Sequence, residues 1–290
     1  MTPTYQAGPI KRHRATQAEM EERASFLLRF ARLNAPVTVR QLFYAATVAG
    51  LIEKSESGYA KVQAQVLKLR RDGRMPYACI ADATRYMRKA QSYDGWEQAL
   101  QDTALVYRKN LWAETALEVE IWLEKSALAG VLMPVTREYD VPLMPTGGYT
   151  SETFAHSAVA NLAGAGKTLV VYSLYDFDRS GQDAAASLQE KVERFGREYG
   201  VPVIFERLGL SERQVIDMDL PTRPAKRGTT ADRRWPHAFA AELDAIPPEL
   251  LRDIVREAIE RHLPYDQLAH LKQVEAVERE TLMQFIGRAA

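Results

Sequence analysis

The chain has 290 residues, 46% of them hydrophobic, and a formal net charge of zero. That is enough for two modest domains with ordinary globular cores, and the absence of any run of about 18 apolar residues excludes a membrane span. Cys79 is the single cysteine, which excludes intrachain disulfides and thiolate zinc sites and suits a reducing cytoplasm. The basic stretch Met1 to Arg14 has no apolar run behind it and does not read as a secretory signal. The zero net charge hides a split: residues 1–110 carry 18 Lys+Arg against 10 Asp+Glu, and residues 111–290 carry 20 against 28. A basic half beside an acidic half points to a polyanion-binding module joined to something else; the plainer alternative is a fluctuation in solvated charge.

Thr16 and Glu19 have the spacing of a capping box, so a helix is expected from there to about Leu33, burying Ala24, Leu27, Leu28 and Ala31. Asn34 and Pro36 end it. Thr38 and Gln41 form a second box, opening a helix through about Val48, with Gly50 as its stop. A third helix is expected from about Tyr59 to Arg71, with Val62, Val66 and Leu69 on one face and Lys61, Gln65 and Lys68 on the other. Residues 74–82, Arg-Met-Pro-Tyr-Ala-Cys-Ile-Ala-Asp, read as a short strand near an exposed hairpin. Three short helices followed by a strand is the layout of a winged helix-turn-helix, whose last helix enters the major groove. Lys61, Lys68, Arg70, Arg71 and Arg74 would supply phosphate contacts to double-stranded DNA, which give affinity without reading sequence. This unit takes residues 1–85.

Residues 86–115 read as a mixed polar linker bearing Tyr86, Tyr93, Trp96, Tyr107 and Trp112. Strands then alternate with helices. Val119–Leu123 is an apolar run ending at Glu124, with a helix from Ser126. Val141–Met144 is a second strand, closed by Gly147-Gly148. Thr168–Leu174 is a third, ending in Tyr175-Asp-Phe-Asp-Arg-Ser-Gly181, and a helix is expected over Gln182 to about Tyr199. Val201–Phe205 is a fourth strand. Such repetition implies a parallel sheet with helices on both faces, placed at residues 116–215. Residues 216–290 read as a helical C-terminal extension, with one helix from Pro247-Pro248 through His262 and another from Asp266 to Ile286. Gly164-Ala-Gly-Lys-Thr168 looks like a phosphate loop, but it precedes a strand instead of following one, so it reads as an ordinary loop.

Glu124 stands at the carboxyl end of one expected strand, and Asp176 and Asp178 stand just past the end of another, where open parallel sheets bind ligands. Three carboxylates converging there make a hard oxygen site suited to Mg²⁺, with Mn²⁺ as an alternative, able to stabilise charge on a phosphodiester. Taken singly, Glu124 is also what a helix N-terminus favours and Asp178 what a helix cap needs. The combination resembles the Toprim domain shared by topoisomerases, bacterial primases and some nucleases, and by that resemblance Glu124, Asp176 and Asp178 bind the metal. Glu242-Leu-Asp-Ala-Ile-Pro-Pro-Glu-Leu-Leu in the C-terminal region suggests no chemical role.

Arg40-Gln-Leu-Phe-Tyr44 lies in the second helix, with Arg40, Tyr44 and Thr47 spaced to share a face. A tyrosine can be a covalent nucleophile, though on a helix it more often packs in the core. A winged helix carrying Arg-x-x-aromatic-Tyr, followed by a Toprim domain, resembles the A subunit of DNA topoisomerase VI and the related meiotic double-strand-break protein, in a stand-alone form. That resemblance implies an α/β chain that cleaves DNA strands through a 5′-phosphotyrosyl link, with Tyr44 as nucleophile and Arg40 as the motif arginine. It also implies a homodimer in which the tyrosine of one protomer meets the metal site of another, a cytoplasmic, nucleoid-associated location, and a separate ATPase subunit for any strand passage. Gln41 stands where the family motif has Asp, Phe43 replaces the first tyrosine of the motif, and the aspartate turn lacks the usual Gly or His and Pro. Two other readings remain open: a Toprim nuclease that uses metal-activated water, and a DNA-binding protein without catalysis.

Overall fold

The computed structural model describes residues 15–81, 90–263 and 265–289. Met1 to Arg14, Asp82 and Tyr86, which carry some of the expectations above, lie outside them. Both expected capping boxes form. Helix α1 (Gln17–Asn34) opens on Thr16 with Glu19, and α2 (Val39–Val48) on Thr38 with Gln41. Each threonine hydroxyl accepts an N–H from the first turn while the partner side chain returns to the threonine N–H, satisfying two donors left free at a helix start. Gly50 follows α2 with φ +71, a backbone state that glycine reaches without steric cost. Helix α3 (Glu56–Arg71) starts three residues before the expected Tyr59, because the Ser55 hydroxyl caps Gly58.

The strand expected after Arg74 does not form. Tyr77–Cys79 make a 3-10 turn, and Ile80 forms a single parallel bridge with Val37. Pro76 can donate no ladder hydrogen bond, and the alternation is too short to define a strand. The segment is instead fastened to the turn between α1 and α2, with Val37 N–H donating to Cys79 O at 3.0 Å and Ala81 N–H donating to Val37 O at 2.9 Å. Among the described residues the N-terminal region is thus three packed helices without a hairpin wing. The expected linker is also more ordered than its composition suggests, since it contains α4 (Trp96–Val106).

The sheet unit follows as β1 (Leu117–Leu123), α5 (Ser126–Glu138), β2 (Leu143–Pro145), α6 (Glu152–Ala160), β3 (Thr168–Leu174), α7 (Arg179–Tyr199) and β4 (Val203–Gly209). The strands are all parallel, in the order β2-β1-β3-β4, which makes an α/β unit compatible with a Rossmann-like domain. Side chains alternate across the sheet. Val119, Ile121 and Leu123 of β1, with Val170, Tyr172 and Leu174 of β3, face one core; Trp122, Leu169 and Val171 face a second core with α6 and α7.

Past β4 come α8 (Glu212–Asp217), β5 (Arg223–Pro224), α9 (Thr230–Arg233) and β6 (Phe239–Ala240), with β5 and β6 forming a small antiparallel pair. A 3-10 turn, Leu243–Ala245, leads to α10 (Pro248–Glu260) and α11 (Tyr265–Ala289). The larger core is continuous from α1–α3 through α5 to α10. Buried Arg252 on α10 pins this junction by donating to the carbonyls of Val131, Asn34 and Pro36; three bonds from one buried guanidinium leave little of its charge unsolvated. Among the described residues no helix is long and apolar enough to cross a membrane.

Candidate functional site

The carboxyl ends of β1 and β3 lie side by side, and the backbone there is stitched together. Glu124 N–H donates to Leu174 O at 2.9 Å, and Gly147 N–H donates to Glu124 O at 3.1 Å. The Glu124 carboxylate then accepts the Asp176 N–H at 2.9 Å through Oε2. Asp178 caps α7, its Oδ1 accepting from Gly181 N–H at 2.9 Å, while its Oδ2 pairs with Arg223 at 2.7 Å. Gly181 is required here: a Cβ would stand 2.5 Å from the Asp176 carbonyl oxygen and 3.2 Å from Glu124 Oε2.

Two further carboxylates, in a segment whose sequence suggested no chemical role, complete the cluster. Phe177 and Ala241 form an antiparallel bridge, with hydrogen bonds of 2.9 and 3.0 Å in the two directions. This bridge carries Glu242 and Asp244 to the aspartate turn. Leu243 N–H donates to Asp176 Oδ1 at 2.8 Å, and Asp244 Oδ1 accepts from the Thr38 hydroxyl at 2.9 Å. The Lys125 ammonium lies among Asp176, Glu242 and Asp244. The available sequence signal was the acid-x-acid spacing of Glu242 and Asp244, which repeats that of Asp176 and Asp178.

Burial dominates the electrostatics. It raises the Glu124 carboxyl above its ordinary value, partly offset by the Asp176 N–H, and it pushes Asp176 up to about 6 against the pull of Lys125 and Leu243 N–H. Burial also opposes the charge of Glu242, but Lys125 and Arg40 outweigh it and hold that carboxyl low. Lys125 is raised because Asp244, Asp176 and Glu242 together overcome its desolvation. These are the opposing effects of low dielectric and opposite charge.

Helix α2 brings Arg40 into this cleft but turns Tyr44 into an adjoining apolar pocket. Arg40 pairs with Glu242 at 2.7 Å and lies over the Tyr59 ring at 5.0 Å. Tyr44 is only 5% exposed. It packs near Phe43 at 5.5 Å, beneath the Lys54 ammonium at 5.3 Å, and lines an apolar pocket with Phe26, Phe30 and Ile246. Burial, then the charge of Glu242, pushes its phenol well above the ordinary value, while Arg40 and Lys125 pull the other way.

The carboxylates, Arg40, Lys125 and Arg223 line an open cleft of about 660 Å³, together with Lys226 and the first residues of α5. The five cations expected to meet DNA are elsewhere. Lys61 borders a separate and larger cavity, about 1180 Å³, beside Glu19 and Glu22, Arg74 pairs with Glu21, and Arg70 lies over the Tyr77 ring at 4.3 Å. Lys68 and Arg71 are exposed at the α3 surface. Gln65, expected on that outer polar face, instead accepts from Arg23 and donates to Met20 O on α1.

The donor set of the cleft is wholly hard carboxylate oxygen, which suits Mg²⁺ or Mn²⁺. Among the described residues no three acidic, histidine or cysteine side chains stand in ready-made metal-ligand geometry. The reason is visible in the bonds: Glu124 accepts a backbone N–H, Asp178 is shared between a helix cap and Arg223, and Asp176 is held by Lys125. Three of the five carboxylates, Asp176, Glu242 and Asp244, already converge on a cation, the Lys125 ammonium, so that part of the cleft fits a positive charge. No protein-family model matches the chain, and no curated protein matches it at a significant level.

Proposed function

We propose that this chain is a divalent-cation-dependent enzyme that cleaves DNA strands, with Tyr44 supplying the attacking oxygen as in the topoisomerase VI A family that its motifs resemble. The observation that carries this reading is the Arg40–Glu242 ion pair at 2.7 Å, which joins the tyrosine-bearing helix to the carboxylate cluster. Glu124, Asp176 and Asp178 would hold the cation, with Glu242 and Asp244 adding negative charge behind them. When bound, such an ion neutralises charge on the phosphoryl oxygens. Arg40 would steady the scissile phosphate through its guanidinium. The Tyr44 oxygen bonds to phosphorus as the bond from phosphorus to the 3′ oxygen breaks. The phenol proton ends on that 3′ oxygen, and a 5′-phosphotyrosyl link remains. The proposal includes a homodimer on double-stranded DNA and a separate ATPase subunit for any strand passage.

A second reading, hydrolysis by cation-activated water, is favoured by one specific observation: Tyr44 is 5% exposed and its phenol is held protonated by burial. Covalent attack would require α2 to shift and present the hydroxyl to the cleft, a motion of the kind that completes many catalytic sites. Supercoiled plasmid incubated with Mg²⁺ or Mn²⁺ tests both. Wild-type protein should nick or linearise it, and Asp176→Asn and Glu124→Gln should not. Loss of cleavage in Tyr44→Phe selects the tyrosine, and full cleavage in that variant selects water. Cleavage that persists in EDTA would exclude both.

A further inference from the structure

Lys125 occupies the N-cap position of α5, with no side-chain capping bond. A cation is disfavoured there by the helix dipole. Its ammonium nevertheless lies 2.9 Å from Asp176 Oδ2, 3.0 Å from Asp244 Oδ2 and 3.1 Å from Glu242 Oε2, and the side chain is 24% exposed. One ammonium with three donors thus satisfies three carboxylates from two distant chain segments. Asp176, Asp178, Glu242 and Asp244 are directly opposed by Lys125, Arg40 and Arg223. With Glu124 beside them, these five carboxylates exceed the three paired cations by two charges.

We propose that Lys125 is the resident counter-cation of this site, displaced when a divalent ion binds and released into the cleft to meet a DNA phosphate. The inference rests on the reading of the cleft as a cation-dependent phosphodiester site. Asp176 would have to serve both the ammonium and the ion, and two cations held on one carboxylate repel each other strongly in a partly buried site. Lysine carries its charge on a flexible four-carbon stem, so the side chain can leave without moving α5. The direction it leaves in is set by the cleft, which Lys125 lines together with Ser126 and Ala127 at the start of α5. Ion binding would thereby convert a cation that neutralises carboxylates into one that attracts phosphate, coupling the two ligands.

Mn²⁺ titration of the full chain, followed by electron paramagnetic resonance, tests this in wild type, Lys125→Gln and Asp176→Asn. Lys125→Gln should bind Mn²⁺ about tenfold tighter than wild type, since a competing unit charge has been removed at short range. Asp176→Asn should lose the site. Unchanged or weaker binding in folded Lys125→Gln, with wild type still saturable and Asp176→Asn deficient, overturns the inference and leaves the cation site standing. No saturable binding by wild type overturns both. Should Lys125→Gln fail to fold, lysine acylation of wild type read by mass spectrometry decides the matter. Saturating Mn²⁺ should raise labelling of Lys125 relative to Lys226, and unchanged labelling overturns the proposal.

Discussion

Arg40 Nε lies 2.7 Å from Glu242 Oε2, across 202 residues of chain. The pair is half-shielded from solvent and sits between the helix that bears Tyr44 and the segment that completes the carboxylate cluster. It ties a packing contact between two ends of the chain to the chemistry of the cleft.

Arg40→Ala should therefore act on both stability and cleavage. It strands Glu242 with Lys125 as its remaining cation, and the loss should fall between those of exposed and buried ion pairs, about 1–3 kcal/mol. Urea denaturation measures it. Cleavage should fall more steeply than stability, because the guanidinium is also the phosphate contact; a variant as active as wild type would remove Arg40 from the site.

Gly181→Ala should disturb the carboxylates from behind. The added methyl would press on the Asp176 carbonyl and on Glu124 Oε2, and neither backbone nor a hydrogen-bonded carboxylate yields cheaply. Overpacking of this kind costs about 1–3 kcal/mol. A lowered urea midpoint together with weakened Mn²⁺ binding is the expected result. An alanine variant with normal stability and normal ion affinity would show that the start of α7 does not hold the cluster in place.

The pH profile of cleavage should bend on the acid side. Burial pushes Asp176 up to about 6 in the ion-free chain, so its ion-binding form is lost as pH falls through that value, and the rate at subsaturating Mg²⁺ should drop below about pH 6. Stability responds in the opposite direction. The folded value lies above the ordinary 3.8, so between those values the folded chain keeps a proton that the unfolded chain releases. The contribution of this group is fully present below the unfolded value and is lost as pH rises through about 6. Rates measured at subsaturating Mg²⁺ from about pH 5 to pH 8 that stay flat would contradict the assignment of Asp176 as an ion ligand.

Much of the framework was legible because its signals are local. The boxes Thr16–Glu19 and Thr38–Gln41 fix helix starts through bonds within one turn, and β3, rich in β-branched and apolar residues, has the bounds expected of it. Glu124, Asp176 and Asp178 could be placed together because adjacent parallel strands align their carboxyl ends. Glu242 and Asp244 could not, since they follow a two-residue strand and sit in and beside a 3-10 turn, where no periodicity exists to read. Their position is set by the Phe177–Ala241 bridge, a tertiary contact. Tyr77–Cys79 failed for the related reason that three residues cannot distinguish a strand from a tight turn. Helix α6, nine residues between Gly148 and the Gly164 loop, is too short for its periodicity to stand out in the sequence.

The most direct measurement uses end-labelled DNA incubated with the protein and Mn²⁺, then resolved on a denaturing gel with and without protease. Wild-type protein should carry the label at its own mobility until protease releases it, while Tyr44→Phe and Asp176→Asn should carry none. Cleaved DNA that is never attached to protein, or attachment that survives in Tyr44→Phe, would contradict attack by the Tyr44 oxygen.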